Sequence, residues 1–249
     1  MHDASCDCCN GLLRRGMSRP GLGRRAFVGA GFAAAALTSS AVFAADPVAK
    51  STLTPDQALK ILKEGNDEFR TDAPYRAARG RERRIQLALG QAPFCVLVGC
   101  SDSRVPPELL FGRGLGELFI IRNAGNTIDT AALGSVEYGV GVLGCPLVVV
   151  LGHEKCGAVA AAVDVVTKNA TFPGVIGEMI QSILPAVLSV RDKPGDLMEN
   201  AVEANARRVA ARLKTQSPVL LEALRTNRVK VIAANYDLDD GSVHWYENI

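Results

Sequence analysis

The sequence predicts an α/β protein: a four-stranded parallel sheet with an antiparallel fifth strand at one edge, helices on both faces, and a helical arm ahead of the first strand. Three observations carry this. Apolar runs recur at 94–99, 118–122, 147–151 and 229–234, and strands apolar on nearly every residue belong to a sheet buried on both faces. Helical patterns fill the intervals at 129–143, 156–166, 175–190, 197–214 and 219–225, and strands alternating with helices imply parallel pairing. A weaker run, 242–246, follows the turn residues Asp239-Asp240-Gly241, which send the chain back antiparallel.

Composition sets the limits. The 249 residues suffice for one good-sized α/β domain. A net charge of +2 and sparse aromatics exclude a nucleic-acid partner, since neither a basic face nor a stacking platform is on offer. The seven cysteines lack disulfide-scaffold spacing: three crowd at Cys6, Cys8 and Cys9 and four lie in the body of the chain.

Residues 1–44 read as a leader rather than as part of the fold. Arg14, Arg15, Arg19, Arg24 and Arg25 precede an uncharged, Ala- and Gly-rich run over 26–45 that contains Val42-Phe43-Ala44. Small residues at the two positions read by signal peptidase place cleavage after Ala44. Arg24-Arg25 followed by Ala26-Phe27-Val28 resembles a twin-arginine export signal, which implies folded export to the periplasm or beyond. An uncleaved anchor is the alternative, but Ala and Gly give little transfer energy, so no permanent membrane anchor is expected. Cys6, Cys8 and Cys9 would leave with the leader, and 45–249 would form one domain.

The arm begins at Thr54-Pro55, a cap followed by proline at the first helical position. Ala58, Leu59, Ile61, Leu62 and Phe69 continue at helical spacing. A second helix covers 81–89 and stops at Gly90. Both helices are expected to pack away from the sheet's own core and to embrace a partner subunit.

The chemistry sits at two strand ends. Cys100-Ser101-Asp102-Ser103-Arg104 follows the first apolar run, and Gly152-His153-Glu154-Lys155-Cys156-Gly157 follows the third. The carboxyl ends of strands are where an α/β sheet opens its ligand crevice. Of three histidines, His2 lies in the leader and His244 in the edge strand, so His153 is the one placed to act. Cys100, His153 and Cys156 make a three-ligand zinc site with a fourth position open, the catalytic pattern; a closed structural site using Asp102 or another cysteine is the alternative. Cys156 precedes a helix whose N-terminal dipole favours the thiolate. Two thiolates neutralise the zinc charge, so the site needs help from neighbouring groups. Asp102 can orient a zinc-bound hydroxide, and Arg104 can hold Asp102 in a bidentate fork, ionised and off the metal.

Together these strings closely resemble the β-class carbonic anhydrases. Agreement extends through Gly116-Glu117-Leu118-Phe119, Arg122-Asn123-Ala124-Gly125-Asn126 and Glu137-Tyr138. The resemblance implies Zn2+ on Cys100, His153 and Cys156, an Asp102–Arg104 catalytic dyad, and reversible hydration of CO2 to bicarbonate and a proton. It implies substrate contacts from Gln91, Phe119, Ala124, Tyr138 and Gly157, with Ala124 smaller than the family's usual residue, and a homodimer or higher even oligomer. Leu97 stands where the bicarbonate-inhibited subclass carries tryptophan, so the plant-like subclass, with Asp102 off the metal at neutral pH, is the expectation. Hydrolysis of carbonyl sulfide or carbon disulfide on the same site is the enzymatic alternative, and a non-catalytic zinc protein is the other. No proton-relay residue stands out, and Cys95 and Cys145 are expected as buried free thiols.

Overall fold

The computed structural model describes residues 50–248, and the leader with its twin-arginine pair and Cys6, Cys8 and Cys9 lies outside them. Among the described residues one sheet forms from β1 (Cys95–Gly99), β2 (Leu118–Arg122), β3 (Leu147–His153), β4 (Lys230–Tyr236) and β5 (Val243–Tyr246). Its order is β2-β1-β3-β4-β5. The first four strands run parallel and β5 is antiparallel to β4, as the runs predict. Every residue of β1 and β3 is buried, which is why these strands read as unbroken apolar runs.

Alternation assigns the two faces. Val96, Val98, Val148, Val150, Val231 and Ala233 face one core, closed by α4 (Thr130–Glu137), α8 (Leu197–Gln216) and α9 (Pro218–Arg225). Leu97, Val149, Leu151, Ile232 and Ala234 face the other, closed by α1 (Pro55–Arg70) and the short α3 (Pro107–Leu110). A third cluster packs α5 (Gly157–Lys168) against α7 (Leu184–Val190) and α8 beside the carboxyl ends of the strands.

The arm departs from expectation in one half. Ala58, Leu59 and Leu62 of α1 are buried against this chain's own sheet. The face they cover has only α3 besides, so the apolar stripe of α1 supplies its lid. Thr54 and Gln57 close a capping box at its start, with distances of 3.2 and 2.8 Å. Asn66 of α1 accepts from the Val243 amide at 2.9 Å and donates to the Gly241 carbonyl at 2.9 Å, pinning the β4–β5 turn. By contrast α2 (Arg81–Leu87) buries nothing, and Ile85 and Leu89 stand exposed.

Two predicted helices are interrupted. The 175–190 segment forms α6 (Val175–Gln181) and α7, because Pro185 has no N–H to continue the ladder. The 129–143 segment forms α4 and then a π-helical turn, Tyr138–Val142. A side chain at Gly139 would run into Val96, so the turn widens while its backbone lies on the sheet.

Candidate active site

The carboxyl ends of β1 and β3 are neighbours in the sheet, with Gly99 paired to Leu151. This adjacency brings the two motifs together. Cys100 leaves β1, His153 is the last residue of β3, and Cys156 is the residue that caps α5. Between them Lys155 takes φ 50°, a left-handed turn just ahead of Cys156. The Sγ atoms of Cys100 and Cys156 lie 3.9 Å apart, and one donor atom each from Cys100, His153 and Cys156 falls within 4.8 Å of the others. Tetrahedral zinc with Zn–S bonds of about 2.3 Å holds two sulfurs about 3.8 Å apart, so the thiols already stand at that separation.

His153 is fully buried. Its Nδ1 is 2.7 Å from the Glu154 carbonyl, to which it donates as Nδ1–H, leaving the Nε2 lone pair for the cluster. Nε2 is buried with no hydrogen-bond partner. An orphaned imidazole nitrogen beside two thiols fits a missing cation. The electrostatics agree. A hydrogen bond from the Cys156 side chain draws the Cys100 thiol well below its ordinary value, against burial, with the Asp102 and Gly125 amides adding to it. That same bond and burial push Cys156 far up. The two sulfurs lie close enough to share one partner, and a cation can take that place.

Asp102 is gripped by Arg104. Nε reaches Oδ1 at 3.0 Å, Nη2 reaches Oδ2 at 2.7 Å, and the Arg104 amide adds a third bond at 2.9 Å. The guanidinium holds the carboxyl well below the usual carboxylate range, against the opposing effect of burial. Asp102 Oδ2 lies 3.9 Å from His153 Nε2, so the carboxylate borders the metal position.

Two positioning contacts have no local signature in the sequence. Arg122, at the end of β2, donates from Nε to the Cys100 carbonyl at 2.8 Å and from Nη2 to the Asp102 carbonyl at 2.5 Å. Asn205 of α8 donates to the Gly125 carbonyl at 2.8 Å, and the Gly125 amide donates to Cys100 Sγ at 3.3 Å. A second acidic group, Glu154, Asp237 and Asp239, is bridged by Lys155, whose Nζ lies 3.1 Å from Asp239 and 3.9 Å from Glu154.

The carbonic anhydrase family profile matches residues 95–243. Carbonic anhydrase 2 of Mycobacterium tuberculosis is 37% identical over 187 residues, spanning 75% of this chain and 90% of that protein. Among solved structures, a β-carbonic anhydrase of Aspergillus fumigatus superposes with TM-score 0.60 at 29% identity, covering 67% of this chain and 81% of that one. One of two tetrameric β-carbonic anhydrases from Sordaria macrospora gives 0.59 at 25% identity, covering 65% and 84%.

The chain belongs to the β-carbonic anhydrase family.

Not every candidate residue of this β-carbonic anhydrase meets at one place within the chain. Ala124 starts the 3₁₀ turn that touches Cys100 through Gly125. Gly157 follows Cys156, and a Cβ there would meet no atom within 4 Å, so space lies open beside the sulfur. Phe119 and Tyr138 pair with ring centroids 6.1 Å apart, but Phe119 is in register with Val96, four residues or about 13 Å along the strands from Cys100. Gln91 is exposed ahead of β1, at the amino end of the sheet. Cys95 and Cys145 are buried and free, as expected, and all four described cysteines are unbridged.

Proposed function

We propose that this protein is a zinc-dependent carbonic anhydrase that catalyses CO2 + H2O ⇌ HCO3− + H+, as the names of its relatives suggest. The observation that carries this reading is the buried Cys100–His153–Cys156 donor set bordered by an Asp102 that Arg104 keeps ionised. Zinc bound there supplies the Lewis acidity that turns water into a nucleophile at neutral pH.

The chain's own residues do the rest. Asp102, ionised and unable to donate, would accept a hydrogen bond from the attacking water or hydroxide and so aim its lone pair at the substrate carbon. Arg104 bonds both carboxylate oxygens, which would keep Asp102 from ligating the metal and, together with Leu97, supports the plant-like subclass. Gly157 and Ala124 leave room for a small neutral substrate beside Cys100.

Gln91, Phe119 and Tyr138 lie too far from Cys100 in one chain to join this site, so we assign them to the site of a second copy. The apolar edge strand β2 supports that assembly: Leu118, Phe119, Ile120 and Ile121 are all only partly buried, and an unpaired apolar edge favours association. The S. macrospora relatives are tetrameric. In the shared site the Gln91 amide donates to the oxygen on which negative charge develops. Mixing inactive Gln91→Ala and Asp102→Asn chains tests this, because mixed dimers regain one intact site; no recovery of activity sinks the shared site.

Export by the twin-arginine route completes the reading, with zinc loaded before Cys100 and Cys156 meet an oxidising compartment. Delivery unchanged by Arg24→Lys with Arg25→Lys would refute it. The activity itself is tested by stopped-flow CO2 hydration on zinc-loaded protein, run beside carbonyl sulfide hydrolysis. Hydration well above buffer is expected, and hydration at the buffer rate with rapid sulfide release would assign the site to the other substrate.

A further inference from the structure

The buried side of α8 is apolar at Ala201, Val202, Ala206, Val209, Ala210 and Leu213, and one amide, Asn205, interrupts it at 1% exposure. Asparagine is a poor helix former, and a buried amide is costly unless it bonds. Asn205 spends its Nδ2 on the carbonyl of Gly125, 80 residues away in sequence.

Gly125 is itself constrained. It sits at φ 68°, ψ 25°, and Asn126 after it is also left-handed at φ 47°. A Cβ at Gly125 would come within 2.7 Å of Ile183 Cδ1 and 3.1 Å of Ala158 Cβ. Glycine takes this conformation freely, and the Asn205 amide bonded to its carbonyl holds the turn in one position. What this bond secures is the Gly125 N–H, aimed at Cys100 Sγ from 3.3 Å. Hydrogen bonds to metal-bound sulfur draw charge from the thiolate and tune the metal it ligates. Two thiolates deliver enough charge to neutralise zinc, so a donor on one of them restores acidity where it is needed.

We propose that Asn205 is a positioning residue: through Gly125 it holds an N–H on the Cys100 sulfur and sets how much charge this ligand gives the metal. The inference rests on the zinc reading above and reaches beyond it, to a residue on a distant helix that touches neither metal nor substrate.

The test uses the full-length protein with Co2+ in place of zinc, because the thiolate-to-cobalt charge-transfer band reports the energy of the sulfur electrons directly. Asn205→Leu keeps the branched shape and the number of side-chain heavy atoms and removes the donor. It should bind one Co2+ per chain, as wild type does, with the band displaced to longer wavelength. In the zinc form its kcat should fall about 10-fold at unchanged KM. A merely structural role would lower thermal stability and leave the band in place, so Co2+ bound with a wild-type band overturns the proposal. Asn205→Ala is read by the same criterion should the leucine variant not fold. Wild-type protein that shows no thiolate–cobalt band would instead defeat the zinc reading, which keeps the two failures apart.

Discussion

The sulfur of Cys100 stands 3.9 Å from that of Cys156, although 56 residues separate them and each leaves a different strand. Nothing but the pairing of β1 with β3 makes them neighbours. Both sulfurs are buried and unbridged, beside the unpartnered Nε2 of His153.

A metal should therefore bind with a stoichiometry of one per chain and stabilise the fold. Cys100→Ser and Cys156→Ser should each lose zinc, while Cys95→Ala and Cys145→Ala keep it. Stripping with a chelator should lower Tm, because a ligand that binds only the folded state stabilises it by mass action. Elemental analysis and thermal scans decide this, and full zinc occupancy in Cys156→Ser would contradict it.

The Asp102–Arg104 fork should matter for geometry more than for charge. Arg104→Lys keeps a cation but not two parallel bonds. We predict a fall in kcat of about 10-fold with zinc content unchanged. In an Asp102→Asn background the same substitution should cost little more, since the two side chains act as one unit. Full additivity in that double-mutant cycle would argue that Arg104 acts elsewhere.

Alkaline conditions should destabilise the fold through its buried thiols. Burial pushes Cys145 up to about 12 from its ordinary value of 9.0, and Cys95 is raised as well by burial and by Cys145. The native chain then holds these protons where the unfolded chain has lost them. Their contribution is whole below the unfolded value near 9 and is lost as pH climbs through the native value. Tm should fall as pH rises from about 9 toward 12, and less steeply in Cys145→Ala. Parallel curves for the two proteins would show that this thiol has no part in the decline.

Much of this was legible in the sequence because the strands announce themselves. A strand buried on both faces cannot alternate, so β1 and β3 appear as unbroken runs, and residues just past a strand's carboxyl end are brought together by parallel pairing whatever the helices between them do. Cys100, Asp102, His153 and Cys156 were found that way. The break between α6 and α7 was also written in the chain, at Pro185. Other features were not. The docking of α1 on its own sheet depends on which face the crossover helices leave bare, a global property. Arg122 and Asn205 act on backbone carbonyls far away in sequence, and a carbonyl carries no residue label that could betray its partner. The resemblance groups Gln91, Phe119 and Tyr138 with the site, whereas within one chain they lie toward the far end of the sheet, a placement visible only in three dimensions.

In the proposed mechanism Asp102 is what makes the Cys100–His153–Cys156 site catalytic. Asp102→Asn is nearly isosteric and removes the ionised acceptor while leaving Cys100, His153 and Cys156 untouched. Stopped-flow CO2 hydration at equal zinc content should show kcat reduced about 100-fold from wild type. A variant that hydrates CO2 at the wild-type rate would contradict the role given to Asp102 and, with it, the account of the site.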